Sequence, residues 1–252
     1  MKTKKVFVML LTAVFLFVVL FATFFMFNVR QVRVKYTVNQ NKSIESVENC
    51  LNKYLGKNLL FLDLEDVERE FSNLPYFEVS EIKKEYPNVI TLSVKERKEV
   101  YHLVDENASY ILNEQGIILN HLEQTQVNDK NIKVELKNSE ITSAEVGAFL
   151  KTAHQEYFDL MLDMVSAVEY ADSIESIEID CSKELEKINF YTKTGVTIVI
   201  NHPLRNGKQM AIEGFKGYND AEDYYKSFDT IIVTCLDSGD VNVFWTNKDK
   251  GE

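Results

Sequence analysis

The sequence predicts an α+β protein with a single N-terminal transmembrane helix, a β-α-α-β-β unit, and then a mixed α/β domain with an antiparallel-rich sheet. Three observations predict this order. Residues 6–27 are an uncharged apolar run, residues 28–98 pass from strand to helix to strand patterns, and residues 99–247 hold short alternating segments separated by turn residues. Short tails at residues 1–5 and 248–252 complete the predicted domain organisation.

The run from Val6 to Phe27 predicts a helix that stays in a membrane. About 22 helical residues at 1.5 Å each span roughly 33 Å, against a hydrocarbon core of about 30 Å. A cleaved signal peptide is the alternative, but the run is long for one and no A-x-A site follows it. The basic leader and the acidic domain behind the helix favour a cytoplasmic N-terminus and an extracytoplasmic C-terminal domain.

Charge and composition exclude several classes of function. The first 35 residues hold six of the 28 Lys and Arg and none of the 39 Asp and Glu, so the remainder carries a net charge of −17. Such a surface repels phosphate backbones, and nucleic acid is not an expected partner. The three cysteines include no C-x-x-C pair, and the four histidines are scattered. We therefore expect no metal and no cofactor.

Residues 28–98 carry the elements of the first unit. Val32–Val38 alternates as a strand, and a helical stripe follows with Ser43 as a candidate N-cap. Asp63 can cap a second helix, which Pro75 ends. Ile90–Val94 then alternates as a further strand.

This unit resembles the POTRA domain of the bacterial cell-division proteins FtsQ and DivIB. The family has a G-x-N-L turn, an L-P-Y/W-V segment, a W-P pair, and a strand that ends in E-R. The matching residues here are Gly56–Asp63, Leu74–Phe77, Tyr86–Asn88 and the pair Glu96-Arg97. One departure is Asn39–Asn41, where the family usually has a Gly-Asn turn.

Residues 99–247 predict a series of strands with two helices. Strands are expected at Val100–Val104 and Tyr110–Leu112, with a hairpin turn at Asn113–Gly116. Thr142–Glu145 fits a capping box, and the apolar stripe from Val146 to Val168 predicts a helix. Ile174, Ile177 and Ile179 then lead into a further strand.

Two more hairpins complete this part. Ile188–Thr192 and Val196–Ile200 form the first, and Thr230–Leu236 and Val241–Trp245 form the second. The family resemblance implies a helix between them that starts near Lys208. Gly214 and Gly217 weaken that helix, each by about 1 kcal/mol relative to Ala.

The last hairpin is the candidate interaction site. Val241, Val243 and Trp245 share one face of the final strand, and Phe244 lies on the other. An exposed final strand can accept a strand of another chain. The alternative is that Trp245 closes the core, and the pattern alone does not decide between the two.

The family resemblance implies a non-enzymatic organiser of the divisome, enriched at the division septum. It implies binding to FtsL-like and FtsB/DivIC-like bitopic proteins, with a septal transpeptidase as a further candidate partner. The residues carried over as partner-facing are those of the last hairpin: Ile231, Val233, Ser238, Val241, Val243, Phe244 and Trp245.

Two functions of other classes remain as alternatives. One is an anchored extracytoplasmic receptor or sensor domain that binds a peptide or small ligand. The other is a cell-wall enzyme, because Ser80–Lys83 fits S-x-x-K and Lys193–Gly195 fits K-T-G. Ser80 and Lys83 lie in strand-like sequence rather than at a helix start, and Lys193–Gly195 fits a hairpin turn. We therefore predict that the protein is not an enzyme.

Overall fold

The computed structural model describes residues 2–37, 45–71, 74–105, 108–122, 130–221 and 228–247. The described chain divides into two compact units, residues 1–97 and 98–252. Several predicted features lie outside the described residues: Ser43, the turn at Asn39–Asn41, and the tail at residues 248–252.

The first unit starts with one long helix, α1 (Lys2–Met26), over the predicted apolar run. Of the helices described, one is long and apolar enough to cross a membrane, and its most apolar window is Met9–Met26. The elements that follow are β1 (Gln31–Tyr36), α2 (Glu45–Asn52), α3 (Leu64–Phe71), β2 (Phe77–Glu85) and β3 (Val89–Glu96). This confirms the predicted β-α-α-β-β order.

The three strands form one sheet in the order β1-β3-β2, with β1 parallel and β2 antiparallel to β3. Helices α2 and α3 bury their apolar stripes, Val47, Leu51, Val67 and Phe71, against the core that Ile90, Leu92 and Val94 of β3 also enter. The Glu65 amide donates to the Asp63 carboxylate over 2.9 Å, which confirms Asp63 as the cap of α3.

The second unit is built around one sheet of nine strands in the order β14-β13-β12-β11-β10-β7-β4-β5-β6. Its strands are β4 (Tyr101–Val104), β5 (Ser109–Leu112), β6 (Ile118–Leu122), β7 (Ile132–Lys137), β10 (Ile174–Asp180), β11 (Lys187–Thr192), β12 (Thr197–Asn201), β13 (Thr230–Cys235) and β14 (Val241–Thr246). A separate small ribbon pairs β8 (Ile141–Ser143) with β9 (Lys151–Thr152). Five neighbouring pairs of the large sheet are antiparallel and three are parallel, so it is the predicted antiparallel-rich mixed sheet.

Two helices, α4 (Gln155–Ala167) and α5 (Gly207–Asn219), contact each other and the sheet. Tyr157, Met161 and Met164 of α4 and Met210 and Phe215 of α5 are buried in the core of this unit. Two single-turn 3-10 helices, Ala171–Ser173 and Pro203–Arg205, precede β10 and α5.

The predicted start of α4 is wrong. The helix begins at Gln155 rather than behind a capping box at Thr142–Glu145. The Gly147 amide donates to the carbonyl of Ile118 over 2.7 Å, and the Leu150 amide donates to the carbonyl of Gly116 over 3.0 Å. Gly147 has a φ of +91°, outside the helical region. Bonds to distant backbone therefore hold this segment out of a helix, in a turn that the Ala148 amide closes on the Glu145 carbonyl, and local spacing cannot reveal them.

Candidate partner-binding site

Strand β14 lies at one end of the nine-stranded sheet, and β6 lies at the other. Its inner side pairs with β13 over the full six residues of both strands. Within the part of the chain that the structure describes, no strand pairs with its outer side. A sheet edge of this kind presents unpaired backbone N–H and C=O groups to a partner.

The register between β13 and β14 assigns each side chain to a face. Trp245 lies opposite Ile231 and Val243 opposite Val233, so these four share one face of the sheet. Phe244 lies opposite Ile232 on the other face. The predicted separation of Phe244 from Val243 and Trp245 is therefore confirmed.

Helix α5 covers the face that carries Val233 and Val243. A Cβ on Gly214 would lie 2.9 Å from Cγ2 of Val233, and a Cβ on Gly217 would lie 3.3 Å from Cγ1 of Val243. Because neither glycine has a side chain, α5 approaches the strands closely. Its packing on the strands compensates for the low helix propensity of the two glycines. Val241, Val243 and Trp245 are half-buried and pack against the core of this unit.

Burial prevents the side chains of Ile231 and Val233 from contacting a partner. Both side chains are fully buried, with 0% of their surface exposed. Neither side chain can face a partner while the fold is intact. Their part in any binding site is to fix the position of β14, which corrects their expected role as partner-facing residues.

Ser238 lies in the turn between the two strands rather than on either strand. Its hydroxyl bonds to the Asp240 carboxylate over 2.9 Å, and Gly239 has a φ of +89°. The Gly239 amide donates to the Leu236 carbonyl and closes the turn. Ser238 is exposed at the tip of the hairpin.

The hydrogen bonds of this turn also show which backbone groups point outward. The Leu236 amide donates to the Asp240 carbonyl over 2.9 Å, so these two residues form a hydrogen-bonded pair. Bonded and non-bonded pairs alternate along an antiparallel ladder. Asn242 and Phe244 therefore bond to β13, whereas the backbone groups of Val241, Val243 and Trp245 point away from the sheet.

Phe244 lies on the face of the sheet opposite α5, and 51% of its surface is exposed. Beside it a hollow of about 510 Å³ extends across the sheet; its lining includes Tyr191, Val199, Ile232 and Thr246. Sequence reasoning missed Ile232 and Thr246 as companions of Phe244. Their strand alternation was visible, but their proximity to Phe244 follows only from the register of the hairpin.

Charged groups occupy the far end of this hollow. The Lys137 ammonium lies 2.5 Å from the Glu178 carboxylate, which also accepts a hydrogen bond from the Asn189 amide over 3.0 Å. The hydrogen bond to Glu178 raises the pKa of Lys137, and burial raises the pKa of Tyr191. Lys137 and Asn189 thus both bind Glu178, whereas Oδ1 of Asn189 is buried without a hydrogen-bond partner among the described residues.

The residues of the two enzyme-like motifs have other partners. The Ser80 hydroxyl donates to the carbonyl of Ser93 over 3.0 Å, and the Lys83 ammonium pairs with Glu81 at 2.6 Å. Ser80 lies in β2, as predicted, at a β-bulge that breaks the simple alternation of that strand. The K-T-G segment forms the turn between β11 and β12, where Gly195 has a φ of +87°. Among the described residues no cluster of His, Cys, Asp or Glu could hold a metal ion.

Comparison with known proteins identifies a family for the first unit. The family described as POTRA domain, FtsQ-type, matches residues 27–97. A solved structure that matches is the major extracytoplasmic domain of the trans isomer of the cell-division protein DivIB from Geobacillus stearothermophilus. It is 12% identical, with a TM-score of 0.30, and the match covers 49% of this chain and 88% of that one. No curated protein matches the sequence. Residues 27–97 therefore belong to the FtsQ-type POTRA domain family, as the sequence resemblance predicted.

Proposed function

We propose that this chain is a non-enzymatic, single-pass division protein that binds FtsL-like and FtsB/DivIC-like bitopic proteins through β14. The observation that carries the proposal is the outer edge of β14, which is unpaired among the described residues. The FtsQ-type POTRA domain at residues 27–97 supports a role in cell division. Helix α1, at Lys2–Met26, supports attachment to a membrane.

The proposed binding mode is addition of a partner strand to the edge of β14. The outward backbone groups of Val241 and Val243 would bond to the added strand, which gives affinity. Phe244 would contact the side chains that this strand presents to the same face, which gives specificity. The hollow lined by Ile232 and Thr246 lies beside Phe244 and offers space for a large partner side chain.

In the cell, the proposal gives the chain a cytoplasmic N-terminus, an extracytoplasmic C-terminal domain and enrichment at the septum. Domain boundaries of 28–98 for the POTRA domain and 99–247 for the β-domain accompany it. A septal transpeptidase is a further candidate partner, which would join the same assembly.

The proposal is tested with the full chain in nanodiscs and the extracytoplasmic parts of its FtsL-like and FtsB/DivIC-like partners. Phe244→Asp should weaken binding by about tenfold or more, since loss of an interface anchor costs about 2 kcal/mol. Val243→Pro should weaken binding by about fivefold, because it removes one outward N–H, worth about 1 kcal/mol, while β13 pairing is retained. Isothermal calorimetry measures both changes.

Phe149→Asp is the matched control, because Phe149 is a phenylalanine of similar exposure, 60% against 51% for Phe244, whose backbone bridges to Ile117 next to β6. It should bind as the unchanged protein does. Circular dichroism checks that each variant is folded. Partner binding that is unaffected by Phe244→Asp and Val243→Pro, or absent in the unchanged protein, would refute the proposal.

A further inference from the structure

Three exposed apolar side chains of the first unit lie beside the end of α1. Leu60, Phe61 and Tyr86 have 47%, 76% and 58% of their surfaces exposed. We call these three residues the juxtamembrane patch. The segment from residue 55 to residue 62 carries a single charge, Lys57. Exposed apolar groups gathered at one place usually mark a contact surface.

Two residues of the patch, Phe61 and Tyr86, contact the last turn of α1 and the residue that follows it. The ring of Phe61 lies 6.0 Å from the ring of Phe24, and the ring of Tyr86 lies 5.9 Å from that of Phe27. The Asn58 side-chain amide donates to the Phe24 carbonyl over 2.8 Å. The patch is thus continuous with the apolar surface of the helix.

The connection between α1 and the POTRA domain is hydrogen-bonded along its length. The Leu59 amide donates to the Phe27 carbonyl over 2.7 Å, and the Val29 amide donates to the Lys57 carbonyl over 2.8 Å. The Gly56 amide donates back to the Val29 carbonyl over 2.8 Å. No free linker separates helix and domain, so the depth of α1 fixes the depth of the patch.

That depth reaches into the membrane. Phe24 precedes Phe27, the end of the apolar run, by three residues, or about 4.5 Å along a helix axis. A side chain that packs on Phe24 lies at the same level. Apolar groups bound at a membrane surface typically sit about 5–10 Å into the boundary between headgroups and acyl chains. Aromatic rings are the side chains preferred at this level.

We propose that Leu60, Phe61 and Tyr86 insert into the headgroup–acyl boundary of the membrane that α1 crosses. The occupant of this surface is lipid, because lipid surrounds Phe24 wherever α1 spans a bilayer. The POTRA domain is then held flush against the membrane by two contacts, the helix and the patch. This inference depends on the membrane insertion of α1, which is part of the proposed function.

The test uses full-length protein in phosphatidylcholine–phosphatidylglycerol vesicles that contain brominated lipid, which quenches nearby tryptophan. The chain has one tryptophan, so Trp245→Phe gives a silent background. Three single-tryptophan variants are made in it: Phe17→Trp in α1, Phe61→Trp in the patch, and Lys95→Trp. Lys95 is exposed and lies near the far end of β3. The strand starts at Val89, three residues after Tyr86 of the patch, and Lys95 lies about 20 Å further along it at 3.3 Å per residue.

Phe17→Trp should be quenched by bromine deep in the acyl chains, which reports insertion of α1. Phe61→Trp should be quenched more strongly by bromine near the glycerol than by bromine deep in the acyl chains, because interfacial groups typically lie at the shallower depth. Lys95→Trp should keep its emission.

Each other result contradicts a specific claim. If Phe17→Trp is quenched and Phe61→Trp behaves like Lys95→Trp, the patch does not insert, although the anchor does. If Phe17→Trp is not quenched, α1 does not span the bilayer, and the anchor and the patch proposal both fail. Equal quenching at Phe61 and Lys95 would also overturn the proposal.

Discussion

Gly214 and Gly217 set how closely α5 approaches the strands that position β14. From the sequence, both glycines only weaken a helix, by about 1 kcal/mol each. The structure gives them different surroundings. A Cβ at residue 214 would meet Val233 at 2.9 Å and Ile198 at 3.0 Å, whereas one at residue 217 would meet only Val243, at 3.3 Å. A side chain at residue 214 requires its neighbours to move, whereas one at residue 217 requires Val243 to shift only by a few tenths of an ångström.

We therefore expect Gly214→Ala and Gly217→Ala to change the free energy of unfolding by different amounts or in opposite directions. Overpacking at residue 214 should cost about 1–3 kcal/mol against a gain of about 1 kcal/mol in helix propensity, which leaves a net loss of up to about 2 kcal/mol. Gly217→Ala should change the free energy of unfolding by less than about 1 kcal/mol, since propensity and tight contact oppose each other. Urea unfolding of the two variants measures this, and an equal or smaller loss for Gly214→Ala would contradict the packing described here.

Single residues also show which features the sequence could predict and which it could not. Alternation predicted that Phe244 opposes Val243 and Trp245, because a strand has a fixed period of two. It could not show that Ile231 and Val233 are fully buried, because burial depends on α5, which packs on them from elsewhere in the chain. Of the carried-over residues, a partner can reach Ser238, the Phe244 side chain and the outward backbone of β14.

At the scale of elements, α2 and α3 are joined by a small polar cluster. The Tyr54 hydroxyl donates to the Glu70 carboxylate over 2.6 Å, and the Lys53 ammonium pairs with the same carboxylate. Tyr54 follows α2 and Glu70 lies in α3. The hydrogen bonds from Lys53 and Tyr54 hold the pKa of Glu70 below its usual 4.5.

This cluster predicts a loss of stability in acid. A carboxylate whose pKa is lower in the folded than in the unfolded state stabilises the fold fully above the unfolded value. That stability is lost as the pH falls from about 4.5 through the lowered folded pKa. Glu70→Gln should therefore show a smaller drop in unfolding free energy between neutral and acid pH than the unchanged protein shows.

Glu68→Gln is the control for this prediction, because Glu68 is an exposed residue of the same helix. Its acid dependence should match that of the unchanged protein in denaturant unfolding followed across pH. The prediction fails if Glu70→Gln and Glu68→Gln lose the same stability in acid.

Elements with strong local signals could be predicted. The cap at Asp63, the turn at Lys193–Gly195 and the strands on either side of it follow from residue types alone. The segment from Val146 to Leu150 could not, because its bonds go to Gly116 and Ile118, about thirty residues earlier. The apolar residues of this segment have helical spacing but do not form a helix. The same spacing predicts the helix correctly only from Tyr157 onward.

At the scale of the whole molecule, the predicted fold class and the order of elements along the chain are confirmed. The order of strands within the large sheet could not be predicted from the sequence. Strand β7 pairs in parallel with both β4 and β10, and β12 pairs in parallel with β13 across a helix. Such pairings join residues distant in the chain and leave no local pattern. The candidate site depends on this order, since it is what leaves β14 at an edge.

The proposed role of this chain in cell division rests on its FtsQ-type POTRA domain and on the position of β14 at the end of the described sheet. Its most direct test is the position of a fluorescent fusion of the full chain in dividing cells, beside the same reporter on residues 1–30 alone. The full chain should gather in a band at midcell, and the helix alone should spread evenly around the membrane. A full-length fusion that spreads as evenly as the helix alone would contradict it.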